Sequence, residues 1–358
     1  MIGQAAVFAV PGDPDTRTGG YIYEKQVLLE LRRMGRPVRL LRLPGGFPDP
    51  SRWEVAVTGQ TLATLDPEVP VILDGFLVGA LPPPELSRLR APFVAMIHHP
   101  LALETGLAPD RAAWLEDTER TNLARAGHVV VPSPRTREDL VGRFGVPKKK
   151  ISVALPGVPR PLGPGTPVDP PLILAVGTLV PRKGHDILLE ALASLTDLSW
   201  QAVIAGAPRD PATAAKLRAQ TDRLGLSGRV QFRGEVSEDA LSALYRSATV
   251  FALATRLEGY GMVFAEALSH GLPIVTCRNS AIPDTVPEAA GALVQTDDVQ
   301  AFAAALRRLL SDPKIRANAE TGARAAGAVL PRWSETASVM ANALDRVAPG
   351  QELRPASG

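Results

Sequence analysis

The chain has 358 residues, 45% hydrophobic and 21% charged, with a net charge of +2 at neutral pH. That length exceeds what one hydrophobic core ordinarily supports and predicts two domains, and the composition excludes disordered and fibrous classes. So small a charge excess excludes a broad polyanion-binding surface, leaving nucleic acid outside the expected partners, and the single cysteine, Cys277, excludes a disulfide framework and a cysteine-based metal site.

Residues 4–10, QAAVFAV, read as a first strand; no positive charge precedes them and a Pro-Gly-Asp turn follows, which does not fit a signal peptide. A helix is expected over 21–35, strands over 38–43, 69–75 and 92–98, a helix over 111–127 and a strand over 127–133. Alternating strands and helices predict a parallel, doubly wound sheet, assigned to a first domain over 1–160. Prolines and glycines crowd the following stretch, and 161–171 is the expected linker.

The alternation returns over 172–330. Strands are expected over 172–177, 201–206, 229–234, 249–255 and 273–277, with helices over 185–195, 211–225, 237–248 and from Met262 onward. After Ala301 the pattern is helical to about Arg346, so 331–358 are read as a C-terminal helix and tail, long enough to return to the first domain. The fold class is therefore α/β, two doubly wound Rossmann-like domains facing across a cleft. No apolar run approaches the roughly 20 residues that span a bilayer, and with one cysteine the expected location is cytoplasmic.

Ligands of open α/β sheets bind at the carboxyl ends of the strands, and the second domain carries its unusual residues there. GTLVPRKGHD puts Gly177, Arg182 and Lys183 after one strand; TRLEGYGM puts Glu258, Gly259, Tyr260 and Gly261 after another. Glycines let backbone approach a ligand, and the first amides of a helix starting at Met262 and Val263 point at an anion. A diphosphate fits, with Arg182 as a bidentate fork and Lys183 as a point charge. Glu266 is the sole charge between Met262 and Ser269, and a vicinal diol such as a ribose offers it two donors. Taken alone, Glu266 reads equally well as compensation of the helix dipole.

VGTLVPRKGHDILLEAL (176–192), RVQFRGEVSEDALSALYRSATVFALAT (229–255) and the E-x7-E of EGYGMVFAEALSHGLPIV (258–275) resemble the retaining family 4 glycosyltransferases of GT-B fold. The resemblance spans nearly all of the second domain and weakens through the first. It implies that Arg182 and Lys183 neutralise the donor diphosphate, that Glu266 binds the donor ribose, and that Glu258 touches the donor sugar near its reacting carbon. It also implies that Gly234 and Val236 hold the nucleobase through backbone groups. In the first domain it implies a glycine-rich loop, matched by Thr18-Gly19-Gly20, and a histidine on the donor sugar, for which His98 and His99 both stand open.

Two positions depart from the family pattern: Thr178 stands where an arginine is usual, and Asn279-Ser280-Ala281 with Pro283-Asp284 replaces a glycine pair before Pro-Glu. Asp13-Pro-Asp15 has the spacing of an acidic metal pair but lies in a proline-rich turn, so no metal and no cofactor beyond the nucleotide sugar is expected. Arg32, Arg33, Arg36, Arg39 and Arg42 read as a solvated basic face, with peripheral contact to anionic lipid at the inner membrane face the other reading. The expected partners are a UDP- or GDP-sugar donor and an acceptor, saccharide, lipid-linked or small, that the residues do not identify; nor do they identify the oligomeric state. Two other functions stay open on the same scaffold, a sugar-nucleotide 2-epimerase and a non-catalytic nucleotide-sugar-binding protein.

Overall fold

The computed structural model describes residues 4–348 apart from 105, 162 and 164. The expected tail beyond 348, and Leu162 and Pro164 of the expected linker, lie outside the described residues. The chain divides into two compact units, one built from the residues up to 157 together with those from 331 onward, the other from 158–330.

The first unit runs β1 (Ala6–Pro11), α1 (Gly19–Arg33), β2 (Val38–Leu43), α2 (Arg52–Ala63), β3 (Val71–Asp74), α3 (Gly75–Ala80), α4 (Pro83–Leu86), β4 (Phe93–Met96), α5 (Pro109–Arg125), β5 (His128–Val131), α6 (Pro134–Gly142) and β6 (Ile151–Val153). The strands form one six-stranded sheet in the order β2-β1-β3-β4-β5-β6, every pairing parallel. β1, β3, β4 and β5 are buried along their whole length, which is why they read as continuous apolar runs.

The second unit repeats the plan with β7 (Leu172–Val176), α7 (His185–Ala193), β8 (Gln201–Ala205), α8 (Pro211–Arg223), β9 (Val230–Gly234), α9 (Glu238–Ser247), β10 (Val250–Leu253), α10 (Met262–Ser269), β11 (Ile274–Cys277), α11 (Ile282–Thr285), β12 (Gly291–Val294), α12 (Val299–Ser311) and α13 (Pro313–Ala328). Its sheet is also six-stranded and parallel, in the order β12-β11-β10-β7-β8-β9. Side-chain oxygens of Ser237, Asp210 and Asp298 cap the helices that follow them. Trp200, Phe251, Phe264 and Phe302 are among the largest wholly buried side chains here, each worth about 1.5–3 kcal/mol or more of burial.

The chain then enters α14 (Trp333–Val347), which packs on α1 as part of the first unit. Trp333 meets the edge of Tyr23 at 5.6 Å between ring centroids, and the Thr336 hydroxyl donates to the Leu155 carbonyl at 2.7 Å.

Two expectations change. The glycine pair expected in a loop ahead of the first helix is its first turn: Gly19 and Gly20 are helical, and the Ile22 amide already donates to the Thr18 carbonyl at 2.9 Å. The basic run is not one solvated face, because Arg36 is buried and ion-paired with Asp345 of α14, and Arg32 donates to the Val38 carbonyl at 2.8 Å. Both arginines line a groove of about 720 Å³ at the amino-terminal ends of β1 and β2, the end of the sheet away from its ligand-binding edge.

Candidate active site

The first arm of the site in the second unit is the segment after β7. Gly177 follows the strand, a short 3-10 turn carries Arg182 and Lys183, and Gly184, with φ at 63°, is the N-cap of α7. A Cβ on Gly184 would lie 1.9 Å from the Ala254 carbonyl oxygen, so only glycine lets this turn close against the end of β10. Arg256 ties the turn down. Its amide donates to the Arg182 carbonyl at 2.7 Å, and its guanidinium pairs with Asp186 at 2.8 Å and with Asp297 at 2.7 Å.

The second arm follows β10. Lys183 Nζ donates to Glu258 Oε1 at 2.5 Å, the Thr255 hydroxyl lies 3.0 Å from the same oxygen, and an Arg182 nitrogen is 3.8 Å from Glu258 Oε2. Lys183 and Glu258 are both buried, at 8% and 9% exposure, so each charge is tolerable only beside the other. Burial works to raise the Glu258 carboxyl, but the Lys183 and Arg182 charges, with hydrogen bonds from Lys183 and Thr255, outweigh it and hold it below the ordinary glutamate value. Arg182 also donates to the Leu257 carbonyl at 3.0 Å. Gly177 completes the arrangement, since a Cβ there would meet the Lys183 stem at 3.2 Å.

Gly261 starts α10 in the left-handed region, φ 85°, with Phe264 at 2.6 Å from where its Cβ would stand. The first amides of the helix, at Met262 and Val263, have no acceptor within it and give the site an anion-attracting end. Gly259 lies between Glu258 and this helix. Tyr260 does not offer its ring: the side chain is 5% exposed and packs with Val158 and Ala265, while its carbonyl accepts from the Thr285 hydroxyl at 2.7 Å. Glu266, one turn into that helix, accepts from the Tyr245 hydroxyl at 2.7 Å, and burial lifts its carboxyl to about 7. Gly234 ends β9 with φ at 63° and open space about its Cα, and Val236 follows in the same loop.

The first unit brings together a different set. His98 Nε2 lies 3.4 Å from Glu24 Oε1, and Glu24, Asp74 and His98 each place one oxygen or nitrogen within 4.8 Å of the others. Two carboxyls and an imidazole have the composition of a divalent-cation site as well as of a proton-sharing cluster. Burial lifts Glu24 to about 7 and Asp74 well above its usual range, and it lowers His98. The imidazole is clamped: the edge of Tyr23 meets it at 5.3 Å, and a Cβ on Gly20 would touch it at 3.3 Å. His99 turns elsewhere, with Nε2 at 3.0 Å from Glu104. Of the two adjacent histidines it is His98 that shares a neighbourhood with Gly20.

Sequence reasoning missed the braces. Thr255, Arg256, Asp186 and Asn279 hold the two arms in place, the last donating to the Thr255 carbonyl at 2.6 Å. A signal for Arg256 existed, a charge directly after the strand expected over 249–255. Glu24 and Asp74 gave none, one lying within the helix expected over 21–35 and the other within the strand expected over 69–75.

Two parallel six-stranded sheets, each in its own doubly wound unit, define the GT-B fold. The chain is similar throughout to a glycosyltransferase from Rickettsia africae, with a TM-score of 0.77 at 15% identity over 98% of this chain and 100% of that one. Anabaena Alr3699/HepE, solved in complex with UDP and glucose, gives 0.74 at 18% identity over 96% and 100%. Within that fold, residues 21–161 match the model of Glycosyltransferase Family 4 and residues 163–326 that of Glycosyl transferases group 1, one match to each half. These matches support a family 4-type glycosyltransferase. The chain is 32% identical over 273 residues to a D-inositol 3-phosphate glycosyltransferase of Xylanimonas cellulosilytica, covering 71% of this chain and 64% of that protein. It is 28% identical over 333 residues to an MMP alpha-(1->4)-mannosyltransferase of Mycolicibacterium hassiacum, covering 85% and 77%. The chain thus spans somewhat less than two thirds of the length of the first relative.

Proposed function

We propose that the protein is a retaining, metal-independent family 4 glycosyltransferase that moves a sugar from a nucleoside diphosphate sugar to an acceptor held by the first unit. The observation that carries the reading is the convergence of Arg182, the buried Lys183–Glu258 pair and the open end of α10 at the carboxyl edge of one sheet. Two cations and a helix N-terminus supply the positive potential that a leaving diphosphate needs, so the reading assigns no metal. Glu258, fixed by Lys183 and Thr255, stands beside the donor sugar; Glu266 accepts from the ribose diol; Gly234 and Val236 border the base. His98 is the histidine assigned to the donor sugar. The resemblance implies attack from the face the diphosphate leaves, a phosphate oxygen taking the acceptor's proton, and then no protein base is required.

UDP is the first nucleotide to try, because several proteins of this fold, HepE among them, are described in complex with UDP or UDP-glucose. The names of the curated relatives make phosphorylated polyols and sugars the first acceptors. The test is release of nucleoside diphosphate from UDP- and GDP-sugars with and without an acceptor panel. Acceptor-dependent release with an α-linked product supports the reading. Conversion of the sugar nucleotide with no acceptor present supports the 2-epimerase instead, and binding without any turnover supports the non-catalytic protein.

A further inference from the structure

Glu266 does not stand alone in its helix. The hydroxyl of Tyr245 in α9 donates to Glu266 Oε2 at 2.7 Å, and the Tyr245 side chain is buried at 2% exposure. The ring cannot swing away. It stacks on His270 at 5.0 Å and 19° and packs near-parallel to Phe251 at 6.0 Å and 26°. His270 is itself anchored, with Nδ1 at 2.9 Å from the Glu266 carbonyl, so that nitrogen carries the hydrogen and the neutral ring lies flat against the tyrosine. Among the described residues Glu266 Oε1 has no hydrogen-bond partner, and it is not one of the buried polar atoms left without one. The carboxyl is therefore tethered by one oxygen and presents the other outward.

We propose that Tyr245 is a positioning residue for donor binding: buried and packed against His270 and Phe251, it locks one oxygen of Glu266 and thereby aims the other at the ribose diol. The inference rests on the nucleoside diphosphate reading of this site. It has a consequence for pH. Glu266 takes a diol best when ionised, and the groups that face it are Tyr245 and Glu238 from α9, with His270 and, beyond it, Arg246 near the ring. Burial and the Glu238 charge raise the Glu266 carboxyl, whereas the Tyr245 hydrogen bond lowers it. Removing the hydroxyl must push the carboxyl higher still, so that donor affinity begins to fall at a higher pH than in the wild type.

The experiment is calorimetric titration of the full chain with UDP, GDP and ADP at pH 7 and pH 9, on wild type, Tyr245→Phe, Glu266→Gln and the double variant Tyr245→Phe/Glu266→Gln. Comparing proteins at one pH removes the nucleotide's own titration. The expected result for Tyr245→Phe is an affinity loss of about tenfold at pH 7, the worth of one hydrogen bond to a charged group, shrinking to about threefold or less at pH 9. Measured against Glu266→Gln, which likewise keeps no carboxyl at this position, the double variant loses the same factor at both pH values. An equal loss at both pH values makes Tyr245 a packing residue only and overturns the proposal, as does unaltered affinity. If the wild type binds none of the three nucleotides, the donor reading itself has failed and the inference falls with it.

Discussion

Each sheet ends in buried charge at its carboxyl edge, and the two edges stabilise it in opposite ways. In the second unit Glu258 is met by Lys183 and Arg182, whose charges hold its carboxyl in the ionised form against burial. In the first unit Glu24 and Asp74 have no lysine or arginine partner among the described residues; they lean on each other and on His98, and burial holds them toward the neutral form. A carboxylate compensated by cations makes an electrostatic centre suited to a charged ligand. A pair of neutralised carboxyls makes a rigid hydrogen-bonding frame, here around one histidine. The difference assigns charge handling to the second unit and positioning to the first.

Breaking the ion pair is the strongest challenge to that contrast. Glu258→Ala strands Lys183 as a buried, uncompensated cation, and the expected loss is about 3–5 kcal/mol in denaturant unfolding. A variant as stable as wild type would mean that the pair is solvated and the electrostatic account is wrong. Arg182→Ala separates function from stability, because this side chain is about a quarter exposed at 27%. Turnover should fall by about a hundredfold to a thousandfold while stability changes by less than about 1 kcal/mol. Turnover near wild type removes Arg182 from the diphosphate.

The smaller test lies in the first unit. The folded-state value of Glu24, about 7, is above the ordinary 4.5, so its contribution to stability is complete below about pH 4.5 and is lost as pH rises through 7. Glu24→Gln removes that loss. The variant should match wild type near pH 5 and exceed it at pH 8 by on the order of 1–2 kcal/mol, read from thermal or urea unfolding at both pH values. A variant less stable than wild type at pH 8 would show that the ionised carboxylate is the form the fold prefers.

The same contrast explains what could be read from the sequence. The inner strands of both sheets are buried on two faces and announce themselves as apolar runs bounded by glycine, proline or a cap. β6 and β12 do not: each lies at a sheet edge, has three or four residues, and is mostly half-buried. α2 escapes for another reason, its polar middle around Thr58-Gly59-Gln60-Thr61 blurring the helical period. Arg182, Lys183 and Glu258 were legible because charges close to glycines after strands are conspicuous in a line of letters, and Glu266 because it is the sole charge in an apolar helix. Glu24, Asp74 and His98 are separated by 50 and 24 positions, and Tyr245 stands 21 positions before Glu266, so only the folded sheet brings them together.

The central claim is that the carboxyl edge of the second sheet holds a nucleoside diphosphate. Calorimetric titration with UDP, GDP, ADP and NAD, on wild type and Glu266→Gln, tests it most directly. The account predicts micromolar binding of one diphosphate and a tenfold to hundredfold loss in the variant, the worth of about 1.5–3 kcal/mol of charge-assisted hydrogen bonding. Binding of NAD alone, of no nucleotide at all, or of a diphosphate with equal strength to both proteins would contradict it.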